Sequence, residues 1–323
     1  MVALSFDPAP GLMLAAFAIE GAWGWPKPLY NVVRHPVVWI GALCDAGTGL
    51  LNRGSWSHTQ RYLSGVLTTL VIVVLTFISA RLMTSVLPET TAGFIGEAII
   101  ASSLLASRSL YTHVKAVLIP LSANNLDNAR SAVSQIVGRD PAALDEAGVT
   151  RAAIESLAEN TSDGVVAPLF WGVLLGLPGM AAYKAINTLD SMIGHRNKDF
   201  SAFGGFAARI DDVANFIPSR MTGLLFVLAS ARKAAWHTMI RDAARHRSPN
   251  AGWPEAAMAG ALGVRLSGPR HYGNAVSKDP WLNEAAPNPT DDTIRRALFI
   301  YQRALALCLL FLVLVTLGMV FGR

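Results

Sequence analysis

Charge is what this chain has least of. Of its 323 residues only 15% are Asp, Glu, Lys or Arg, against about 25% in an ordinary soluble domain. Hydrophobic residues make up 52%, and the mean hydropathy is +0.38. A disordered chain, which needs low hydrophobicity and high net charge, is excluded. A wholly soluble enzyme is disfavoured. Cysteine is nearly absent: Cys44 and Cys308 stand far apart, so there is neither a disulfide framework nor a paired-cysteine zinc motif. No GxxxxGK[ST], GxGxxG or HExxH occurs, and no GxSxG nucleophile elbow. P-loop, hydride-transfer and zinc-protease chemistry therefore have no motif behind them. The net charge of +5 comes without a concentrated basic stripe. That argues against a nucleic-acid partner and suits a membrane protein with basic cytoplasmic loops.

Long apolar runs are abundant. Residues 62–80 and 304–322 contain no charge and are flanked by Arg61, Arg81, Arg303 and Arg323. Each is long enough to cross a ~30 Å hydrocarbon core as a helix. Residues 11–23, with Glu20, read as a retained N-terminal membrane helix, because no basic residue precedes them. Residues 94–110 are a weaker candidate, holding Glu97 and Arg108. Residues 165–182, with Pro168 and Pro178, and residues 217–231, with Arg220, fit spans, broken re-entrant helices or buried helices of a cytoplasmic lobe. The expected fold is all-α: one polytopic membrane domain over residues 1–323, with about four to six membrane segments. Lys27, Arg34, Arg53 and Arg61 against Asp45 put the first loop in the cytoplasm. The polar loops should form a cytoplasmic site, so at least one of the two ambiguous segments should not span fully.

Four polar clusters interrupt the apolar pattern. In the first, Glu155, Glu159 and Asp163 fall at i, i+4 and i+8, so a continuing helix would stack three carboxylates on one face. Their repulsion would be relieved by Mg²⁺, which prefers one or two carboxylates plus phosphate oxygens; a solvated acidic face is the alternative. Asn160 lies among them. In the second, Lys184, Asn187, Thr188 and Ser191 share a helical face near Asp190. Gly194 is expected to close that helix in a left-handed turn, with His195 and Arg196 beyond it. Cations beside amides and hydroxyls suit phosphate; ordinary basic capping is the alternative. The third holds Arg209, Asp211, Asp212, Asn215 and Arg220: a Mg²⁺ cradle, or in part an Arg209–Asp212 ion pair. The fourth holds His246, Asn250, Trp253 and Glu255 around a Ser248-Pro249-Asn250 turn, with Pro254 in the first turn of the next helix. It could hold an anion against a flat aromatic face, or be a basic membrane-proximal loop. His35 precedes Pro36-Val37-Val38-Trp39-Ile40-Gly41.

Together these segments resemble the CobD/CbiB family of cobalamin biosynthesis, the adenosylcobinamide-phosphate synthases. The most specific stretches are 152–170 (AAIESLAENTSDGVVAPLF), 183–194 (YKAINTLDSMIG), 207–218 (AARIDDVANFIP) and 248–261 (SPNAGWPEAAMAGA). The resemblance runs in order over nearly the whole chain. It departs at Glu20 and Gly24-Trp25-Pro26, and at Asp199-Phe200, where Arg-Tyr is common. It implies a multi-pass protein of the cell inner membrane whose site faces the cytoplasm. The implied reaction is ligation of aminopropanol, or its O-phosphate, to a propionate of adenosylcobyric acid, a corrinoid. ATP and Mg²⁺ are the implied cofactors, and a neighbouring membrane enzyme of the pathway is a possible partner. Carried onto this chain, Glu155, Glu159, Asp163 and Asp211 would hold the metal. His195, His246, Lys184, Asp190 and Asp212 would be catalytic. His35, Asn160, Asn187, Arg196, Arg209, Asn215, Arg220, Asn250, Trp253 and Glu255 would contact substrates. The competing classes are an AmpE-like membrane signalling protein, which needs no acid and amide clusters, and a transporter, for which no inverted repeat is visible.

Overall fold

The computed structural model describes residues 9–25, 34–137, 141–195, 197–269, 271–272, 275–276 and 278–322. The described helices are α1 (Pro10–Trp23), α2 (Pro36–Leu51), α3 (His58–Val86), α4 (Thr91–Ser102), α5 (Ser107–Ser122), α6 (Leu126–Val133), α7 (Glu146–Thr161), α8 (Ala167–Ile193), α9 (Gly205–Ala214), α10 (Phe216–Ser230), α11 (Lys233–Asp242), α12 (Gly252–Leu262) and α13 (Asp291–Phe321). A π-helical turn, Ser162–Val166, follows α7. Four two-residue strands, β1 (Leu266–Ser267), β2 (His271–Tyr272), β3 (Ala275–Val276) and β4 (Trp281–Leu282), pair antiparallel as β1 with β4 and β2 with β3. The all-α expectation holds.

Among the described residues, three helical stretches are long and apolar enough to cross a membrane: His58–Val86, Glu146–Ile193 and Asp291–Phe321. A fourth is possible if α9 and α10, broken at Asn215, count together. The runs 62–80 and 304–322 thus lie inside α3 and α13. Leu310, Phe311, Leu314, Leu317 and Val320 stay exposed on α13, as a lipid-facing helix requires. Residues 165–182 fall on the second stretch, which is kinked at Gly176. There φ is +66°, a conformation glycine adopts cheaply, and Pro178 follows. Residues 217–231 are α10 from Ile217 onward plus Ala231. The segment 94–110 is not one span, because α4 stops at Ser102 and α5 starts at Ser107. Ser102 and Ser103 turn their hydroxyls back onto Ile99 O and Ile100 O, at 2.7 and 2.6 Å, and compete with the helix ladder. α1 has 14 residues, about 21 Å of helix, short of the hydrocarbon thickness.

Packing divides the chain into two compact units of interleaved segments. The first holds the described residues up to Ala106, then Ala167–Asn215, then those from Leu312 on. Ser57 starts α3 with a capping box: its Oγ accepts from Gln60 N, and Gln60 Oε1 accepts from Ser57 N. That satisfies two N–H groups the first turn would leave open. Its core joins Ile40, Cys44, Ile72, Leu189, Ile193 and Phe203. A Cβ on Gly65 would meet Phe203 O at 1.8 Å, so only glycine lets α3 approach that loop.

The second unit holds Ser107–Val166 and Phe216–Phe311. Asp145 caps α7 by accepting from Gly148 N at 2.7 Å. α12 is buried on every side through Ala256, Ala257, Ala259 and Ala261. Its small residues let α10 and α11 close on it: a Cβ on Gly260 would sit 2.5 Å from Ala234 O. α12 ends at Gly263 in the left-handed region, φ +71°, as a helix stop commonly does. Pro254 lies in its first turn, as expected.

Candidate functional site

The first unit gathers a polar group along α8 and α9. Asp211 and Asn215 sit one helical turn apart, and Asn215 Nδ2 donates to Asp211 Oδ2 at 3.0 Å. Asn215 Oδ1 accepts from Tyr183 Oη on α8 at 2.8 Å. Trp171 Nε1 donates to Ala214 O at 3.1 Å, which fixes the end of α9. Tyr183, Asp211 and Asn215 are all buried. Asp211 Oδ1 is also buried and makes no well-formed hydrogen bond. Asp190 and Asp212 lie close enough to Asp211 for the carboxylates to repel, and the Asn187 side chain lies on the same carboxylate. Asn187 Oδ1 in turn accepts from Lys184 Nζ at 3.2 Å. His195, exposed, lies near Asp190.

His35 reaches this group from the start of α2, where its Nδ1 accepts from Val37 N at 3.3 Å and caps the helix. Its ring meets Trp25 edge-on, with centroids 5.4 Å apart. Burial, then the Lys184 ammonium, hold His35 below the ordinary imidazole range, against a bond to the Ser103 backbone that works the other way. Desolvation and a neighbouring cation both disfavour the charged imidazole.

Two details differ from expectation. Gly194 does not take the left-handed conformation; a Cβ there would meet Asp190 Oδ1 at 2.0 Å, so the glycine makes room for that carboxylate. Thr188 and Ser191 donate back to Lys184 O and Asn187 O, so their hydroxyl protons are spent within the helix. Arg209 is exposed on α9, and Arg196 lies outside the described residues.

The second unit treats its predicted residues differently. Glu155, Glu159 and Asp163 do not form one carboxylate face: Glu155 is buried, Glu159 exposed and Asp163 half-buried. The π-helical turn that starts at Ser162 shifts Asp163 around the axis, because a π turn accommodates more residues than an α turn. Glu155 Oε1 accepts from Ser267 N on β1 at 2.7 Å. Among the described residues no group of three or more His, Cys, Asp or Glu could hold a metal ion. Of the expected metal set Glu155, Glu159, Asp163 and Asp211, the three on this segment thus share no single face, and Glu155 anchors a strand. Asn160, exposed, donates to Ser156 O at 2.9 Å.

His246 and Glu255 form a buried pair, Nε2 to Oε2 3.7 Å, with side chains 4% and 2% exposed. His246 Nδ1 also accepts from Ser248 N at 3.1 Å and shapes the turn. Asn250 Oδ1 accepts from Ser219 Oγ at 3.3 Å. Arg220 lies 3.6 Å from the Phe216 ring centroid and 4.5 Å from that of Trp253. It donates to Phe216 O at 2.6 Å. The aromatic face of Trp253 therefore carries a guanidinium. Tyr183, Ser219 and Ser267 had no signal in the sequence, since their partners lie far along the chain.

Beyond the geometry, similarity is decisive. A sequence profile described as CobD/Cbib protein matches residues 13–301. The chain belongs to the CobD/CbiB family. Family members include a cobalamin biosynthesis protein CobD of Rhodobacter capsulatus, 54% identical over 297 residues, which cover 91% of this chain and 93% of that protein. One of the same description from Brucella suis is 49% identical over 83% of this chain and 84% of its own. Another, from Sinorhizobium fredii, is 43% identical over 91% and 92%. No solved structure matches.

Proposed function

We propose that this chain serves cobalamin biosynthesis as an ATP-dependent ligase. It joins the amine of aminopropanol O-phosphate, or of aminopropanol, to a propionate of adenosylcobyric acid, giving adenosylcobinamide phosphate or adenosylcobinamide. Family membership supports the pathway. One observation supports the chemistry: Lys184, Asn187, Asp190, Asp211 and Asp212 meet in one unit, beside His35 and His195.

Amide formation from a carboxylate needs activation, because hydroxide leaves poorly. ATP, when bound, would supply it by phosphorylating the propionate with loss of ADP, so that inorganic phosphate leaves when the amine attacks, and Mg²⁺ would offset the phosphoryl charge. The group on α8 and α9 fits such an ion: Asp211 Oδ1 is buried and makes no well-formed hydrogen bond, and Mg²⁺ needs only one or two carboxylates beside phosphate oxygens. Asp211, with Asp190 next to it, would hold the ion. Lys184 and Asn187 orient phosphate oxygens by donating to them. Asp190 and Asp212 attract the substrate ammonium and bring the amine toward attack distance. His195 takes its proton, and Asp190 stabilises the imidazolium so formed. The site faces the cytoplasm, where nucleotide and corrinoid are available.

The test is synthesis by the purified chain. Adenosylcobyric acid, ATP, Mg²⁺ and either amine should yield the amide by mass spectrometry, and Lys184→Met should lower the rate at least tenfold. Absence of amide with both amines would overturn the reading.

A further inference from the structure

The second unit carries three arginines that the ligase reading does not use. A cavity of about 230 Å³ is lined by Arg232, Leu262, Arg296, Phe299 and Arg303, among others. Among the described residues that line it there is no Asp or Glu. Two of the arginines are braced at the end of α12. Arg232 Nη1 donates to Ala261 O at 3.1 Å, and Arg296 Nη2 donates to Leu262 O. Cations are favoured at a helix C-terminus, which accounts for those two bonds. It does not account for the cavity, nor for Arg303, whose guanidinium lies 5.8 Å from the Phe299 ring centroid.

A guanidinium has five N–H donors in a fixed fork. One backbone carbonyl each leaves Arg232 and Arg296 with most of theirs, and the fork matches phosphate geometry. Position then narrows the ligand. Arg303 is the last charged residue before 304–322, which carries none. The cavity thus stands where α13 passes from polar surroundings into hydrocarbon. Phe299 is exposed and gives the cavity an apolar wall. The volume is below the range of drug-sized pockets, so it suits a phosphate-bearing headgroup better than a nucleotide.

We propose that this cavity binds the headgroup of an anionic phospholipid, with its phosphate on Arg232, Arg296 and Arg303 and its acyl chains along Phe299 and α13. Basic pockets beside membrane helices are suited to such headgroups.

Native mass spectrometry of the purified full chain tests this. The protein is taken from micelles containing equal phosphatidylglycerol and phosphatidylcholine. It should retain one phosphatidylglycerol with at least a tenfold preference. Each arginine near the surface is worth about fivefold, so Arg303→Gln should cut the preference about fivefold, and the triple Gln variant should abolish it. Because Arg232 and Arg296 also brace α12, the single Arg303→Gln variant keeps the test valid if the triple variant misfolds. Arg303→Lys should retain most of the preference. Equal retention of both lipids by the wild-type chain would overturn the proposal. So would an unchanged preference in Arg303→Gln. Displacement of the lipid by millimolar inorganic phosphate would instead assign the cavity to free phosphate and refute the lipid.

Discussion

Asn215 is the residue whose replacement tests the polar group most directly. Its amide serves two buried partners at once, accepting from Tyr183 Oη at 2.8 Å and donating to Asp211 Oδ2 at 3.0 Å. Asn215→Ala removes both bonds and takes a partner from a buried hydroxyl and from a buried carboxylate. Each buried group that loses its partner costs about 1–3 kcal/mol, so the loss should be at most about 2–6 kcal/mol. Tyr183→Phe removes one hydroxyl and leaves the Asn215–Asp211 bond intact. It leaves one buried acceptor, Asn215 Oδ1, without its donor and should cost about 1–3 kcal/mol. In the double variant the hydroxyl that Asn215→Ala deprives of a partner no longer exists. The double loss should therefore fall short of the summed single losses by about 1 kcal/mol. Thermal unfolding in one detergent reads this out, with a drop of roughly 5–15 °C for Asn215→Ala. Additive losses, or a milder effect from Asn215→Ala than from Tyr183→Phe, would refute the bridging role.

Other predictions concern single contacts. Gly65→Ala forces a Cβ to within 1.8 Å of Phe203 O; backbone must move, and overpacking of this kind should cost about 1–3 kcal/mol, seen as a lower unfolding temperature. Glu155→Gln weakens the 2.7 Å charge-assisted bond from Ser267 N and should cost about 1 kcal/mol, with faster amide exchange at Ser267. Burial alone would raise the Asp242 carboxyl, but Arg241, the Asn283 N–H and Arg245 outweigh it and hold the group below the ordinary carboxylate range. Its stabilisation is complete above the unfolded value of about 3.9 and is lost as pH falls through the lower folded value. Asp242→Asn should lose that pH-dependent contribution, so its stability gap from the wild type should be widest at neutral pH and narrow in acid.

Local chemistry made much of the protein legible without coordinates. An uncharged run of helix length needs hydrocarbon around it wherever the chain folds, so 62–80 and 304–322 emerged inside α3 and α13. The Asp211–Asn215 bond and the Lys184–Asn187 bond span one helical turn, and helix periodicity alone brings such pairs together. Capping is equally local: Pro254 entered the first turn of α12 because its missing N–H costs nothing there.

The rest depended on partners distant in sequence or on how a helix ends. The Glu155 stripe dissolved because a π turn interrupts the helix and β1 offers a backbone donor 112 residues away. Trp253 was expected to meet a large ring, yet a guanidinium from α10 lies over it. Gly194 looked like a helix stop and instead makes room for Asp190. Composition and periodicity act along the chain, so the sequence by itself determined the apolar helices, their caps and the side chains one turn apart. Burial and long-range hydrogen bonds act through space, so only the tertiary structure decided which carboxylates meet Lys184 and which are bound to backbone elsewhere.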